Sequence, residues 1–157
     1  MWRAIRAAAV AFALVGGAVL LLIAAVTVVS VGGRWLLSAP VLGDVELVQL
    51  GTAASLALFL PYCQLHGSHL IVDIFTARTA TSAQRRLDRM AQGLAALVLG
   101  LLSARAGAGV LDLRAAGETS MVLGLPLWLA FAVMVPSLAL AALIALARAW
   151  QRETDAD

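Results

Sequence analysis

"PYCQLHGSHLIVD", residues 61–73, gathers a Pro, a Tyr, the single Cys, both His and an Asp into thirteen positions of an otherwise apolar chain. Two readings compete for it. Either these side chains converge on a metal, haem or quinone, or they mark the place where a membrane helix meets water. The surrounding sequence favours the second. The 157 residues are 62% hydrophobic and only 13% charged, with a mean hydropathy of +0.97, whereas a soluble domain is about 45–50% apolar. Cut at its charges, the chain falls into four apolar stretches, near residues 8–31, 46–65, 90–113 and 125–147. Each can cross a hydrocarbon core, which needs roughly 20 helical residues. The expected fold is therefore all-α integral membrane, with four transmembrane helices. No internal repeat or low-complexity linker divides the chain, so residues 1–157 form a single four-helix membrane domain.

The first stretch has the charged start of a secretory signal, "MWRAIR", but its apolar run of about 24 residues exceeds the roughly 7–15 of a signal core. It reads as a retained helix. All eleven basic residues are Arg, and the net charge of +2 is too small and too scattered for a nucleic-acid face. The arginines report topology instead. With a cytoplasmic amino terminus, Arg3, Arg6, Arg78, Arg85, Arg86, Arg89, Arg148 and Arg152 lie inside, against Arg34, Arg105 and Arg114 at or toward the outside. That asymmetry fits the positive-inside rule. It puts both termini in the cytoplasm and the 32–45 and 114–124 loops outside. One Cys excludes an intramolecular disulfide and any multi-Cys metal site.

The 61–73 stretch then sits where span two leaves the membrane on the cytoplasmic side. Tyr62 suits the headgroup level, Pro61 removes an amide donor about one turn before the helix end, and Gly67 offers a break. From His69 onward, Leu70, Ile71, Ile74 and Phe75 fall on one helical face and His69, Asp73 and Thr76 on the other. This pattern predicts a short amphipathic interfacial helix over about 69–78. Thr81 and Gln84 make a capping-box signature for span three, which Arg85, Arg86 and Arg89 anchor at anionic headgroups. A bis-His haem needs axial ligands from two facing helices, and here both His are three residues apart with no third elsewhere. A metal would want three or four convergent ligands, and only His66, His69, Asp73 and Cys63 are near. No cofactor is expected.

Arg105 and Asp112 interrupt span three, where an ionisable group costs about 2.5–3.5 kcal/mol unless paired or able to snorkel. Arg105 lies sixteen residues beyond Arg89, roughly 24 Å at 1.5 Å per residue, near the outer headgroups. Glu46, at the start of span two, should reach a similar depth. A Glu46–Arg105 pair is one expectation, and independent snorkelling of both is the other. Trp2, Trp35, Trp128 and Trp150 fall near span ends, as an aromatic belt requires. Pro126 is expected in the first turn of span four, and Pro136 at its middle should free a carbonyl that a neighbour must satisfy. The small-residue runs at Gly16, at 93–100 and at 106–109 permit close helix packing. There is no phosphate loop, no nucleophile–base pair and no acidic relay at mid-membrane. The chain reads as a non-enzyme.

The order of these features resembles a known family, the DctQ-like small integral-membrane subunits of tripartite ATP-independent periplasmic (TRAP) transporters. The similarity lies in "GGRWLLSAPVLGDVELVQL", with Arg34, Pro40 and Glu46. It lies also in "HGSHLIVDIF", where His69, Val72 and Asp73 resemble the family's H-[IL]-x-V-D motif, and in "GETSMVLGLPLWLAFAVMVP", with Thr119, Pro126, Trp128 and Pro136. Pro61 and the doubled histidine depart from that pattern. The resemblance implies a bacterial inner (cytoplasmic) membrane subunit that scaffolds a large multi-span permease. A periplasmic solute-binding protein would deliver organic acids for uptake driven by an ion gradient. Under that reading Arg34, Glu46, His69, Asp73, Arg105 and Trp128 are structural or subunit-contact residues, and the partners are the large permease, the solute-binding protein and membrane lipids. A haem- or quinone-binding membrane anchor of a respiratory enzyme is the alternative, and a self-sufficient homo-oligomeric transporter or channel is a third.

Overall fold

The computed structural model describes residues 2–37, 42–66 and 81–154. Among them are four helices: α1 (Trp2–Leu37), α2 (Asp44–His66), α3 (Thr81–Ala116) and α4 (Trp128–Thr154). All four are long and apolar enough to cross a membrane. The first three spans expected from sequence lie within α1, α2 and α3, the fourth (125–147) starts three residues before α4, and α3 begins at Thr81, where the capping signature placed it. The expected interfacial helix 69–78, with His69 and Asp73, lies outside the described residues.

Local chemistry sets the helix ends. Gly43 adopts φ +78, and its carbonyl accepts the first helical bond of α2 from the Leu47 amide (3.1 Å). Asp44 and Glu46 follow in the first turn, where the helix dipole favours negative charge. At the end of α3, Gly117 is left-handed (φ +64) and the Glu118 amide reaches back to the Leu113 carbonyl (3.2 Å). This is the Schellman arrangement that terminates helices at glycine.

Between α3 and α4 the chain makes a small hairpin. Thr119 and Pro126 form an antiparallel bridge, the Ser120 amide donates to the Leu125 carbonyl (2.8 Å) and the Leu127 amide to that of Glu118 (3.2 Å). The expectation that Pro126 sits in the first turn of span four is thus corrected. Pro126 closes the hairpin, and the helix starts two residues later at Trp128.

The helices stand in a row and not in a square bundle. α1 packs on α2, α2 on α4 and α4 on α3, while α1 touches α4 only slightly. Small residues permit the tight contacts. A Cβ added at Gly16 of α1 would meet Leu58 Cβ at 3.0 Å and the Ser55 carbonyl at 3.1 Å on α2. The centre of the row is α2 with α4, where Ala57, Leu58, Ala141, Ile144 and Ala145 are buried.

Lipid offers no water to satisfy a freed carbonyl, so the proline of α2 recruits a hydroxyl. Pro61 lies inside α2 and deprives the Ala57 carbonyl of its donor four residues on. Ser137 of α4 supplies one, its hydroxyl donating to that carbonyl at 2.6 Å. Near Pro136 a hydroxyl of α3 also reaches α4, where Ser103 donates to the Val135 carbonyl at 3.1 Å. The carbonyl that Pro136 itself frees is that of Ala132, four residues back, so the Ser103 bond ties α3 to α4 without serving the expected carbonyl.

Candidate functional site

The polar chemistry of the described residues is concentrated at the two ends of the row. At the hairpin end, Asp44 accepts the Ser30 hydroxyl (2.5 Å) and its own neighbour's amide, that of Val45 (2.8 Å). Arg34 stands 3.7 Å away as its ion-pair partner. The last turn of α1 is thereby tied to the first turn of α2. The Arg34 side chain is 61% exposed, so this pair holds geometry more than it adds stability.

Glu46, two residues on in the same first turn, binds backbone. One carboxylate oxygen accepts the Val122 amide (2.9 Å) and the other the Leu123 amide (3.1 Å). Successive amides converging on one anion form a nest. Leu123 then drops onto Gly43, filling the space a Cβ would occupy there. Beside the hairpin, the Arg114 guanidinium lies 5.3 Å from the centre of the Trp128 ring, within reach of a cation–π contact.

These contacts correct the expected Glu46–Arg105 pair. Depth counting placed the two residues level, but α2 and α3 do not pack along their lengths because α4 stands between them. Arg105 is exposed on α3, and Glu46 holds the hairpin instead. Glu46→Ala should therefore speed hydrogen exchange at the Val122 and Leu123 amides roughly tenfold, the effect of losing one hydrogen bond of ordinary net strength. Arg105→Ala should leave those amides unchanged, and the double variant should behave as Glu46→Ala.

At the opposite end, the Gln64 amide of α2 donates to the Gln92 side-chain oxygen of α3 (2.6 Å), and both residues are buried. Arg148 of α4 donates to the Leu65 carbonyl (2.6 Å), one of the carbonyls that a helix end leaves without an internal partner. A cation at this position also suits the helix dipole. The His66 ring lies over Tyr62, centroids 4.3 Å apart, with Nδ1 3.0 Å from the Tyr62 carbonyl. Cys63 is an exposed free thiol. Among the described residues no group of three or more His, Cys, Asp and Glu is placed to hold a metal ion.

Of the residues singled out from sequence, Arg34 and Glu46 meet at one end through Asp44 and the hairpin, and Trp128 joins them through Arg114. His69 and Asp73 lie outside the described residues. Asp44, Ser137, Arg148 and the Gln64–Gln92 pair were not anticipated. Only Asp44 carried a sequence signal, an acid directly after a glycine at a helix start.

A row of four helices long and apolar enough to cross a membrane, with polar contacts that join helix ends and loops, defines a small integral-membrane component. The chain belongs to the family described as tripartite ATP-independent periplasmic transporters, DctQ component, which matches residues 23–155. It is thus the small permease component of a TRAP-type transporter, a class that works with a large permease and a solute-binding protein. No curated protein and no solved structure matches the chain.

Proposed function

We propose that this subunit is a scaffold. It braces the large permease in the bacterial inner membrane while that partner carries organic acid and coupling ions, and a periplasmic solute-binding protein delivers the substrate. The observation that carries this reading is the open row of helices. A row has two broad faces, and this one leaves large apolar side chains exposed along its helices, among them Leu21 (75%), Leu97 (65%) and Leu111 (69%). Lipid can cover one face and a partner the other. On α3, Gly93, Gly100 and Gly107 recur every seven residues, and a Cβ at any of them would meet nothing within 4 Å. Each glycine costs about 1 kcal/mol of helix propensity relative to Ala. Gly93 and Gly100 line an apolar groove of about 710 Å³ between α3 and α4. Small-residue stripes of this kind allow helix backbones to approach closely, so we assign this groove to the large permease. His69 and Asp73 belong to the same reading as contacts at the exit of span two.

Reconstitution tests it. Vesicles holding this chain alone should not accumulate substrate, and vesicles holding it with the large permease and loaded solute-binding protein should. Uptake by the chain alone would refute the scaffold. The proposed orientation, with both termini cytoplasmic, is tested in a Cys63→Ala background. A Cys at Met121, fully exposed at the hairpin tip, should react with an impermeant reagent from outside, and one at Ser82 only after the cells are opened. The reverse pattern would invert the topology.

A further inference from the structure

The first turns of α1 carry a feature that neither the family nor the scaffold reading uses. Arg3, Arg6, Ala7, Val10, Ala11 and Leu14 line a shallow gutter of about 490 Å³. At 100° per residue these positions form one stripe, with both guanidiniums at its end and only apolar side chains beyond. The stripe faces away from the body of the row, since Ala9 and Gly16, which are buried, lie on the opposite side of α1. Among the described residues neither Arg3 nor Arg6 has an ion-pair partner. Val10 (39%) and Leu14 (70%) are exposed, and the small side chains of Ala7 and Ala11, also exposed, run beside them.

We propose that this gutter is a binding site for one anionic phospholipid, its phosphate held between Arg3 and Arg6 and an acyl chain laid along Ala7 and Ala11. Charge complementarity selects the occupant. Two unpaired cations at a span end attract an anionic headgroup, each contributing about as much as a basic residue near a charged bilayer surface. The positive end of the helix dipole adds to this attraction. From Arg6 to Leu14 is eight residues, roughly 12 Å, so the apolar part runs at acyl-chain depth. A partner helix would need an acidic residue beside an apolar flank to match the same stripe. The site stands on α1 alone and does not rest on the scaffold reading.

The test is native mass spectrometry of the full-length chain, released from vesicles of phosphatidylglycerol and phosphatidylcholine in equal amounts. One phosphatidylglycerol should be retained per chain in preference to phosphatidylcholine. Arg3→Gln with Arg6→Gln should lower its retention roughly tenfold or more. Ala11→Phe, which fills the gutter and keeps both cations, should lower it as well. Equal retention of the two lipids would overturn the proposal. So would an Ala11→Phe variant that retains lipid like the parent, because attraction would then be a diffuse headgroup effect. Displacement of the lipid by millimolar inorganic phosphate would overturn the acyl-chain part and leave a simple anion site.

Discussion

Gly100→Phe should leave the isolated subunit folded and strip it of the large permease. Among the described residues nothing beyond its own helix backbone and chain neighbours lies within 4 Å of a Cβ at Gly100, and losing a helix glycine favours the helix. The thermal midpoint of the purified subunit should therefore hold or rise. If the groove between α3 and α4 receives a helix of the large permease, the phenyl ring holds the two surfaces apart. Overpacking a close contact costs about 1–3 kcal/mol, which is about five- to more than a hundredfold in association. Co-purified permease should fall by that factor, with transport falling in proportion to the complex lost. Gly16→Phe is the contrasting control. It collides with Leu58 and the Ser55 carbonyl inside the subunit, so it should destabilise the chain itself. A Gly100→Phe subunit that pulls down the permease like the parent would assign the groove to lipid.

The second large effect concerns the proline of α2. Ser137→Ala removes the donor to the Ala57 carbonyl, at a site where Ser137 is fully buried. Because Pro61 has no amide to offer in its place, that carbonyl is left unsatisfied, at a cost of about 1–3 kcal/mol. Interhelical hydrogen bonds in membranes average about 0.6 kcal/mol and reach about 1.7, so about 1–2 kcal/mol is the expected loss of stability. Pro61→Ala restores an amide four residues after Ala57 and closes the ordinary helical bond. In that background Ser137→Ala should cost almost nothing, a coupling that a double-mutant cycle reads directly. Strict additivity would show that the serine acts by packing and not by serving the proline's carbonyl. Ser55→Ala supplies the reference. The Ser55 hydroxyl is buried without a hydrogen-bond partner, so its removal should be neutral or stabilising.

Position along each helix was legible from residue order alone. A helix rises 1.5 Å per residue, so counting from Arg89 placed Arg105 toward the far end of α3, and the Trp and Arg residues marked span ends. The end of α2 was legible as well, since the helix stops at His66, just before the glycine expected to break it, whereas the start of α4 was misplaced at Pro126. The same residue order told which carbonyl Pro61 would orphan, but not that Ser137, 80 residues later, would serve it. The family motif was readable as well, and the family match over 23–155 agrees with it.

What residue order determined, then, was a chain with four helices apolar enough to cross a membrane and the family to which it belongs. Lateral neighbours were decided only by the tertiary structure. Helices that are apolar nearly all round carry no stripe to say which face meets which partner, so nothing in the sequence distinguished a square bundle from the row α1–α2–α4–α3. That order sends Glu46 to the hairpin and leaves Arg105 on an outer helix. The partners Glu46 finds are backbone amides, which every residue but proline possesses. No side-chain pattern announces them until the turn at Ser120–Gly124 folds them toward one carboxylate.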